Sequence, residues 1–392
     1  MRRTEVLAGV RMMRFRSVLD RCEASELSKL EAAELLGVDE RTFRRWCQRY
    51  REEGEGGLAD RRLGKPSGRR VPDEQASWVA ELYRTRYSDF TAKHFHEHLV
   101  RDHGFGWGYT WTKTFLHGQG LLAAAPRRGA HRRRRPRRPL PGMMLHQDGS
   151  RHVWLAGQPA CDLIATLDDA TSALYSAFLV DEEGTASTFR GLNEVFSEHG
   201  LPLSLYTDRG SHYFVTPKAG GPVDRGQPTQ VGRALARLGV EHIAAYSPQA
   251  RGRSERAFKT LQDRLPKELA LAGITGMEAA NRFIREIYLP EHNRQFAVAA
   301  EQTGTAFLPV PGIALDEVLC IEEERQVGND NTVVFHRLRL QIPPSPLRAH
   351  FVKATVKVRH YANATYAIFH GHRCIGRYDS TGALIDDNRK AA

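Results

Sequence analysis

Three acidic residues stand where metal-assisted phosphate chemistry needs them. They are Asp148 in LHQDGS, Asp208 in YTDRGSHY and Glu255 in SPQARGRSERAFKT. Asp148 falls within a strand-like stretch, Asp208 ends a later one, and Glu255 opens a helical stretch. Strand ends and helix starts at one edge of an α/β sheet face one crevice, so the three carboxylates are expected to converge there. Converging carboxylates repel, and a divalent cation relieves that repulsion. Oxygen donors without a nearby Cys favour a hard ion, so Mg²⁺ is expected, with Mn²⁺ as substitute. Two such ions about 3.5–4 Å apart clamp the attacking and leaving oxygens of an in-line phosphoryl transfer. Glu255 is surrounded by Arg251, Arg253, Arg256 and Lys259, cations suited to DNA phosphates, and a helix N-terminus adds its own attraction for anions.

Each acid also has a plainer reading. Asp148 precedes a glycine and Asp208 sits in DRG, so either could form a turn. Glu255 could pair with Lys259 at i+4. The ordered set, with its flanking residues, favours function. A rival pair, Asp168 and Asp169, lies between two strand-like runs and reads as a structural turn.

The elements that must hold these acids can be read from residue 143 onward. MMLHQDGSRHVWL is strand-like, and ACDLIATLDDATSALYSAFLV reads as two strands joined by a turn. TASTFRGLNEVFSEHG is a helix ending at Gly200, followed by the strand PLSLYTDRG, the helix TQVGRALARLG and the strand VEHIAAYS. GRSERAFKTLQDRLPKELALAG is a helix that Pro266 is expected to bend or split. This order implies an α/β layer with a mixed sheet. Beyond a connector, NTVVFHRLRLQIPP, KATVKVRHY and TYAIFHGHRCIGRYD suggest a small β-barrel.

The front of the chain is different. Of the net charge of +11, residues 1–140 hold 30 Lys+Arg against 18 Asp+Glu, and the remainder holds 27 against 28. A basic excess confined to the first third points to nucleic-acid binding. ELSKLEAAELLGVDERTFRRWCQRYREE gives an apolar helical face, a helix-ending Gly37 and a second helix opened by Asp39 or Glu40. That second helix carries Arg41, Arg44, Arg45 and Arg49, the pattern of a helix-turn-helix whose basic helix meets DNA. Residues 73–122 read as a second helical unit, with Asp73 as the expected cap. His94, His96 and His98 alternate within it. A spacing of two does not suit ligands on one helical face, and no Cys joins them, so no metal site is expected there. Residues 126–141 hold eight arginines between prolines, Arg132, Arg133, Arg134 and Arg135 among them. This stretch cannot bury a core and is expected to track phosphates.

The five cysteines form no CxxC pair, which argues against a disulfide framework and a zinc finger. No apolar run reaches the ~20 residues of a membrane span. The first residues lack a signal-peptide core, so a cytosolic protein without membrane partners is expected.

The quoted acidic motifs resemble those of the DDE transposase and retroviral integrase superfamily. The wording of the third motif and ERQVGNDNTVVF at 324–335 resemble bacterial insertion-sequence transposases of the ISNCY family. The resemblance implies a multidomain protein with N-terminal α-helical helix-turn-helix units, a central α/β ribonuclease H-like mixed-sheet core and a C-terminal small β-barrel. The expected divisions are 1–60 and 61–125 for the two helical units, 126–141 for the Arg-rich linker, 142–290 for the integrase catalytic core, 291–325 for a connector and 326–385 for the barrel. It makes Asp148, Asp208 and Glu255 a catalytic, metal-binding triad. It also implies a DNA transposase that binds its element's terminal inverted repeats, cuts to leave a 3′-OH and joins that end to target DNA. Double-stranded DNA, both element ends and target, would be the partner, held by a homodimer or higher oligomer in a bacterial, nucleoid-associated setting. A nuclease with the same core but no strand transfer, and a DNA-binding regulator derived from a transposase, are the alternatives.

Two departures from the family pattern stand out. The 46 residues between Asp208 and Glu255 are more than many members have, and a Gly/Pro-rich stretch at 214–230 holds the surplus. Gln262 stands where relatives often carry a basic residue, leaving that DNA contact to Lys259 or Arg256.

Overall fold

The computed structural model describes residues 3–59, 70–123, 136–218, 221–246, 252–310, 312, 314–345 and 348–385. The chain divides into two compact units, one of residues 1–88 and 105–121, the other of 89–104 and 122–392.

In the first unit, α1 (Arg3–Glu23), α2 (Lys29–Leu36) and α3 (Glu40–Glu53) share a core of Phe15, Val18, Leu19, Ala32, Ala33 and Phe43. Ser28 and Glu31 form a reciprocal capping box on α2, and Gly37 ends that helix at φ 67°. A left-handed residue there costs glycine little. Asp39 caps α3 by accepting the Thr42 N–H at 2.8 Å. α4 (Asp73–Arg86) and α6 (Tyr109–Gly118) complete the unit. Asp73 is the first helical residue of α4 and not its cap. Pro72 holds that position, and the Asp73 carboxylate accepts from Arg70 at 2.8 Å.

The second unit is built on a five-stranded sheet of order β3-β2-β1-β4-β5. Its strands are β1 (Leu145–His152), β2 (Cys161–Asp168), β3 (Leu174–Val180), β4 (Ser204–Thr207) and β5 (Glu241–Ala244). β1, β2 and β3 form an antiparallel meander, while β4 runs parallel to both β1 and β5. This is the mixed sheet of a ribonuclease H-like core. Helices α7 (Thr185–His199) and α8 (Gln230–Leu238) cover one face through Phe189, Leu192, Phe196, Val231 and Leu235, packed with Leu145 and Leu205. The other face is covered by α9 (Gly252–Leu271), α10 (Met277–Phe283) and α11 (Leu289–Phe296), through Phe258, Leu261, Leu265 and Leu289 against Leu163, Ala165 and Leu167. α9 runs unbroken through Pro266, so of the expected bend or split the split does not occur. Its apolar stripe of Phe258, Leu261, Leu265 and Leu269 continues on both sides of the proline and holds it on the sheet. α5 (Ala92–His103) belongs to this unit.

At the C-terminal end, β6 (Ile321–Gln326), β9 (Thr355–His360), β10 (Tyr366–His370) and β11 (Arg373–Tyr378) form an antiparallel sheet of order β11-β10-β9-β6. β7 (Thr332–Phe335) and β8 (Leu338–Gln341) form a hairpin beside it. Both layers share a core that includes Val333, Phe335, Leu340, Val358 and Ile368. The expected barrel is thus a sheet and a hairpin about one core, and no strand ladder among the described residues joins the two.

Candidate functional site

β1 alternates sharply. Leu145 and Gln147 face the α7 side, where Leu145 packs with Leu192 and Leu205 and the Gln147 amide donates to the Thr188 carbonyl at 3.3 Å. Alternation along a strand therefore turns His146, Asp148 and Ser150 toward α9. Asp148 is buried on this face and pairs in register with Ala165 of β2. On the other side of β1, Leu145 pairs with Leu205 and His146 with Tyr206. The His146 and Tyr206 rings meet edge to face, their centroids 5.1 Å apart. Carrying that register two residues along sets Asp148 beside Asp208, the first residue after β4. Asp208 turns the chain sharply, its Oδ1 accepting the Gly210 N–H at 2.8 Å.

α9 is fastened across this face on both sides of Asp148. The Gln262 amide donates to Ser150 Oγ at 2.9 Å. The Arg253 guanidinium binds Asp169 Oδ1, which also bonds His146 Nε2 at 2.8 Å. Glu255 lies between these two anchors, exposed in the first turn of α9, and on the same stripe as Gln262 because seven residues are nearly two turns. The structure therefore brings Asp148 and Asp208 side by side and starts the Glu255 helix over them. The three acids do not close into a tight set of donors. Among the described residues, the one group of three ligand-type side chains with donor atoms all within 4.8 Å is His94, His98 and Glu268.

Asp168 and Asp169 have structural work instead. Both are fully buried at the β2–β3 turn. Asp168 accepts the Gly142 N–H at 3.0 Å and the Thr171 N–H and hydroxyl at 2.8 Å. Burial alone would push the Asp169 carboxyl up, but bonds from His146, the Arg138 N–H and Arg253 hold it well below the usual carboxylate range.

Sequence reasoning passed over Glu183 and His212. Glu183, just before α7, is fixed by its N–H on Asp162 Oδ2 at 2.8 Å. Its carboxylate lies where a Cβ on residue 149 would be, so only glycine after Asp148 allows that approach. His212 Nε2 is 3.5 Å from Glu183 Oε1. Beside them the Tyr213 hydroxyl donates to Gln147 Oε1 at 3.3 Å. Burial first, and then the nearby charges of Glu183, Asp148 and Asp208, push this phenol well above its usual value, so it remains a donor. Gly149 was the one sequence hint that another group comes close.

The predicted cationic contacts divide. Arg256 and Lys259 are exposed on α9, whereas Arg253 is engaged inward on Asp169. On α3, Phe43 faces the core while Arg41, Arg44 and Arg45 are exposed and Arg49 is half-buried. Arg44 also pairs with Glu40 one turn back. Arg132, Arg133, Arg134, Arg135 and Arg251 lie outside the described residues.

The histidine run on α5 is arranged differently from its sequence reading. His94 and His98, one turn apart, both meet Glu268 of α9, at 2.6 and 2.9 Å. The expectation weighed neighbours two apart. On a helix the pair four apart shares a face, and its partner lies 170 or more residues away in sequence.

Comparison with known proteins agrees with this layout. Two models of homeodomain-like domains match residues 10–59 and 42–106, covering the α1–α3 unit and the helices that follow. A protein of Sinorhizobium fredii named as transposase y4bF is 32% identical over 352 residues, 88% of this chain and 76% of that protein. The transposase for insertion sequence IS1202 of Streptococcus pneumoniae is 25% identical over 304 residues, 69% of this chain and 65% of that protein. The chain also overlays an HTLV-2 integrase catalytic core domain solved with magnesium, at 17% identity and a TM-score of 0.29 over 36% of this chain and 82% of that one. A chain of the simian T-cell lymphotropic virus intasome, solved with PP2A regulatory subunit B56 gamma, overlays at 14% identity and a TM-score of 0.34 over 71% of this chain and 91% of that one. The overlays are loose, and the assignment rests on the curated relatives: with its homeodomain-like front end, the chain belongs to the transposase family of these relatives.

Proposed function

We propose that this chain is a transposase that binds the terminal inverted repeats of its own element, cleaves DNA there and joins the freed 3′-OH ends to target DNA. The observation that carries this reading is the placement of Asp148 beside Asp208 on the sheet face that α9 covers, with Glu255 in the first turn of α9. The donor set is all oxygen, and His146 and Tyr206 flank it without offering a soft ligand, which fits Mg²⁺ or Mn²⁺. Such ions, two in number, supply when bound the activation of water and of the 3′-hydroxyl and neutralise charge on the phosphate. Asp148 and Asp208 hold them from the sheet, and Glu255 completes the set from the helix. Arg256 and Lys259, exposed next to Glu255, bind the phosphates on either side of the cut. The basic side chains of α3 seat the element end. Two such ends must be held together for joining, so the working form on DNA is a dimer or larger.

The test uses a duplex carrying the DNA that flanks this gene, with wild-type protein, Asp208→Asn and Glu255→Gln, with and without Mg²⁺. Mg²⁺-dependent cuts at repeat termini, absent from both variants that still bind the duplex, support the reading. Cuts without any joined product would leave a nuclease of the same fold. Binding without cutting under any metal would leave a DNA-binding regulator.

A further inference from the structure

We propose that His94, His98 and Glu268 form a zinc site, separate from the catalytic acids, that fastens α5 to α9. His94 and His98 lie one turn apart on α5 and turn their Nε2 atoms toward the same atom, Glu268 Oε1, at 2.6 and 2.9 Å. All three donor atoms lie within 4.8 Å of one another. Tetrahedral zinc with ligands at about 2.0–2.2 Å sets its donors about 3.3 Å apart, so the two histidines need draw back from Glu268 Oε1 by about 0.7 and 0.4 Å, the differences from 2.6 and 2.9 Å. Two imidazoles and one carboxylate, with a fourth position left for water, are the ligand types of zinc and do not suit Mg²⁺.

The surroundings fit as well. Both imidazoles are buried, 2% exposed, and the Glu268 side chain is 17% exposed. His98 Nδ1 meets Asp102 Oδ2 at 2.7 Å and the Arg101 guanidinium at 2.9 Å; with Nδ1–H donating to the carboxylate, the usual outer partner of a ligating histidine, Nε2 is left for the metal. Asp102 is itself gripped by Arg101 at 2.6 and 3.0 Å. Glu268 is thirteen residues beyond Glu255 on α9, about 20 Å along the helix, so this ion would be distinct from any held by the catalytic acids.

The experiment uses the full chain, purified without a metal-affinity step. Elemental analysis should find one zinc per chain in wild type and none in His94→Gln or Glu268→Gln, which also excludes the five cysteines as its source. Replacing zinc by Co²⁺ should give the visible absorption of a tetrahedral N/O site. Asp102→Asn keeps all three ligands and should weaken zinc binding about 10–100-fold. That variant and the Co²⁺ spectrum remain decisive if the ligand variants fail to fold. Zinc-free wild-type protein whose melting temperature ignores added Zn²⁺, and which gives no Co²⁺ absorption, would overturn the proposal. So would zinc that stays bound in Glu268→Gln.

Discussion

Asp169→Ala should destabilise the catalytic core by about 3–5 kcal/mol, the loss seen when one partner of a buried ion pair is removed. Asp169 is 1% exposed and holds Arg253, itself 15% exposed, together with His146 at 2.8 Å and the Arg138 N–H at 2.8 Å. Its removal strands a guanidinium beside an imidazole in a low-dielectric site. Asp169→Asn keeps an acceptor oxygen and should lose about 1–3 kcal/mol. Urea unfolding followed by tryptophan emission suits the measurement, because the fully buried Trp154 packs in the same cluster as Phe258 and Leu261 of α9. The sign with pH follows from the depressed carboxyl: the advantage over the alanine variant is present above about pH 3.9, the ordinary Asp value, and is lost as pH falls below it. The arrangement also predicts that Asp169→Ala cuts DNA poorly although it removes no acid of the site, since the first turn of α9 loses its anchor. An unchanged urea midpoint would refute this account. An unchanged midpoint with lost Mn²⁺ binding would instead move Asp169 into the metal-binding set.

Other expectations follow from single contacts. Gly149→Ala leaves the backbone unstrained but drives the Glu183 carboxylate away from β1; it should cost at most about 1.5 kcal/mol of stability and lower cleavage much as Glu183→Gln does, which paired melting and cleavage assays would show. Gln262→Leu removes the bond to Ser150 and should reduce cleavage while DNA retention in a shift assay stays near wild type. Asp39→Ala, which uncaps α3, should lower the melting temperature of the N-terminal helices and weaken binding to repeat-end DNA. Burial raises the Glu322 carboxyl, but Lys357 and Arg359 outweigh it and bring it down to about 2; with solvent screening this stabilises the C-terminal sheet by about 1 kcal/mol above pH 4.5, an advantage lost as pH falls toward 2 and absent from Glu322→Gln in acid unfolding.

The sheet and the helices around it were legible because each element carries its own signal. β2 and β3 are largely apolar runs, and Gly37 and Gly200 end helices where expected. The acids stood out in the sequence because their flanking residues form motifs. Contacts between distant segments were not. Arg253 and Asp169 are 84 residues apart, Gln262 and Ser150 are 112 apart, and nothing local in either marks the other. Arg253 thus read as a phosphate contact and Gln262 as a missing one, when both hold a helix in place. The pairing of the α5 histidines was hidden for a related reason, since their common partner is on α9. Pro266 was read from local propensity alone, and tertiary packing of the stripe on either side overrides it.

α9 is gripped at both ends, by Asp169 and Ser150 near Glu255 and by the α5 histidines at Glu268. Pinned on both sides of Glu255 and again about 20 Å along its length, it behaves as a strut. A displacement of about 1 Å in a group of the proposed site can cost about 10²-fold in rate, so loosening any one of these grips is expected to lower cleavage through side chains that never approach the DNA.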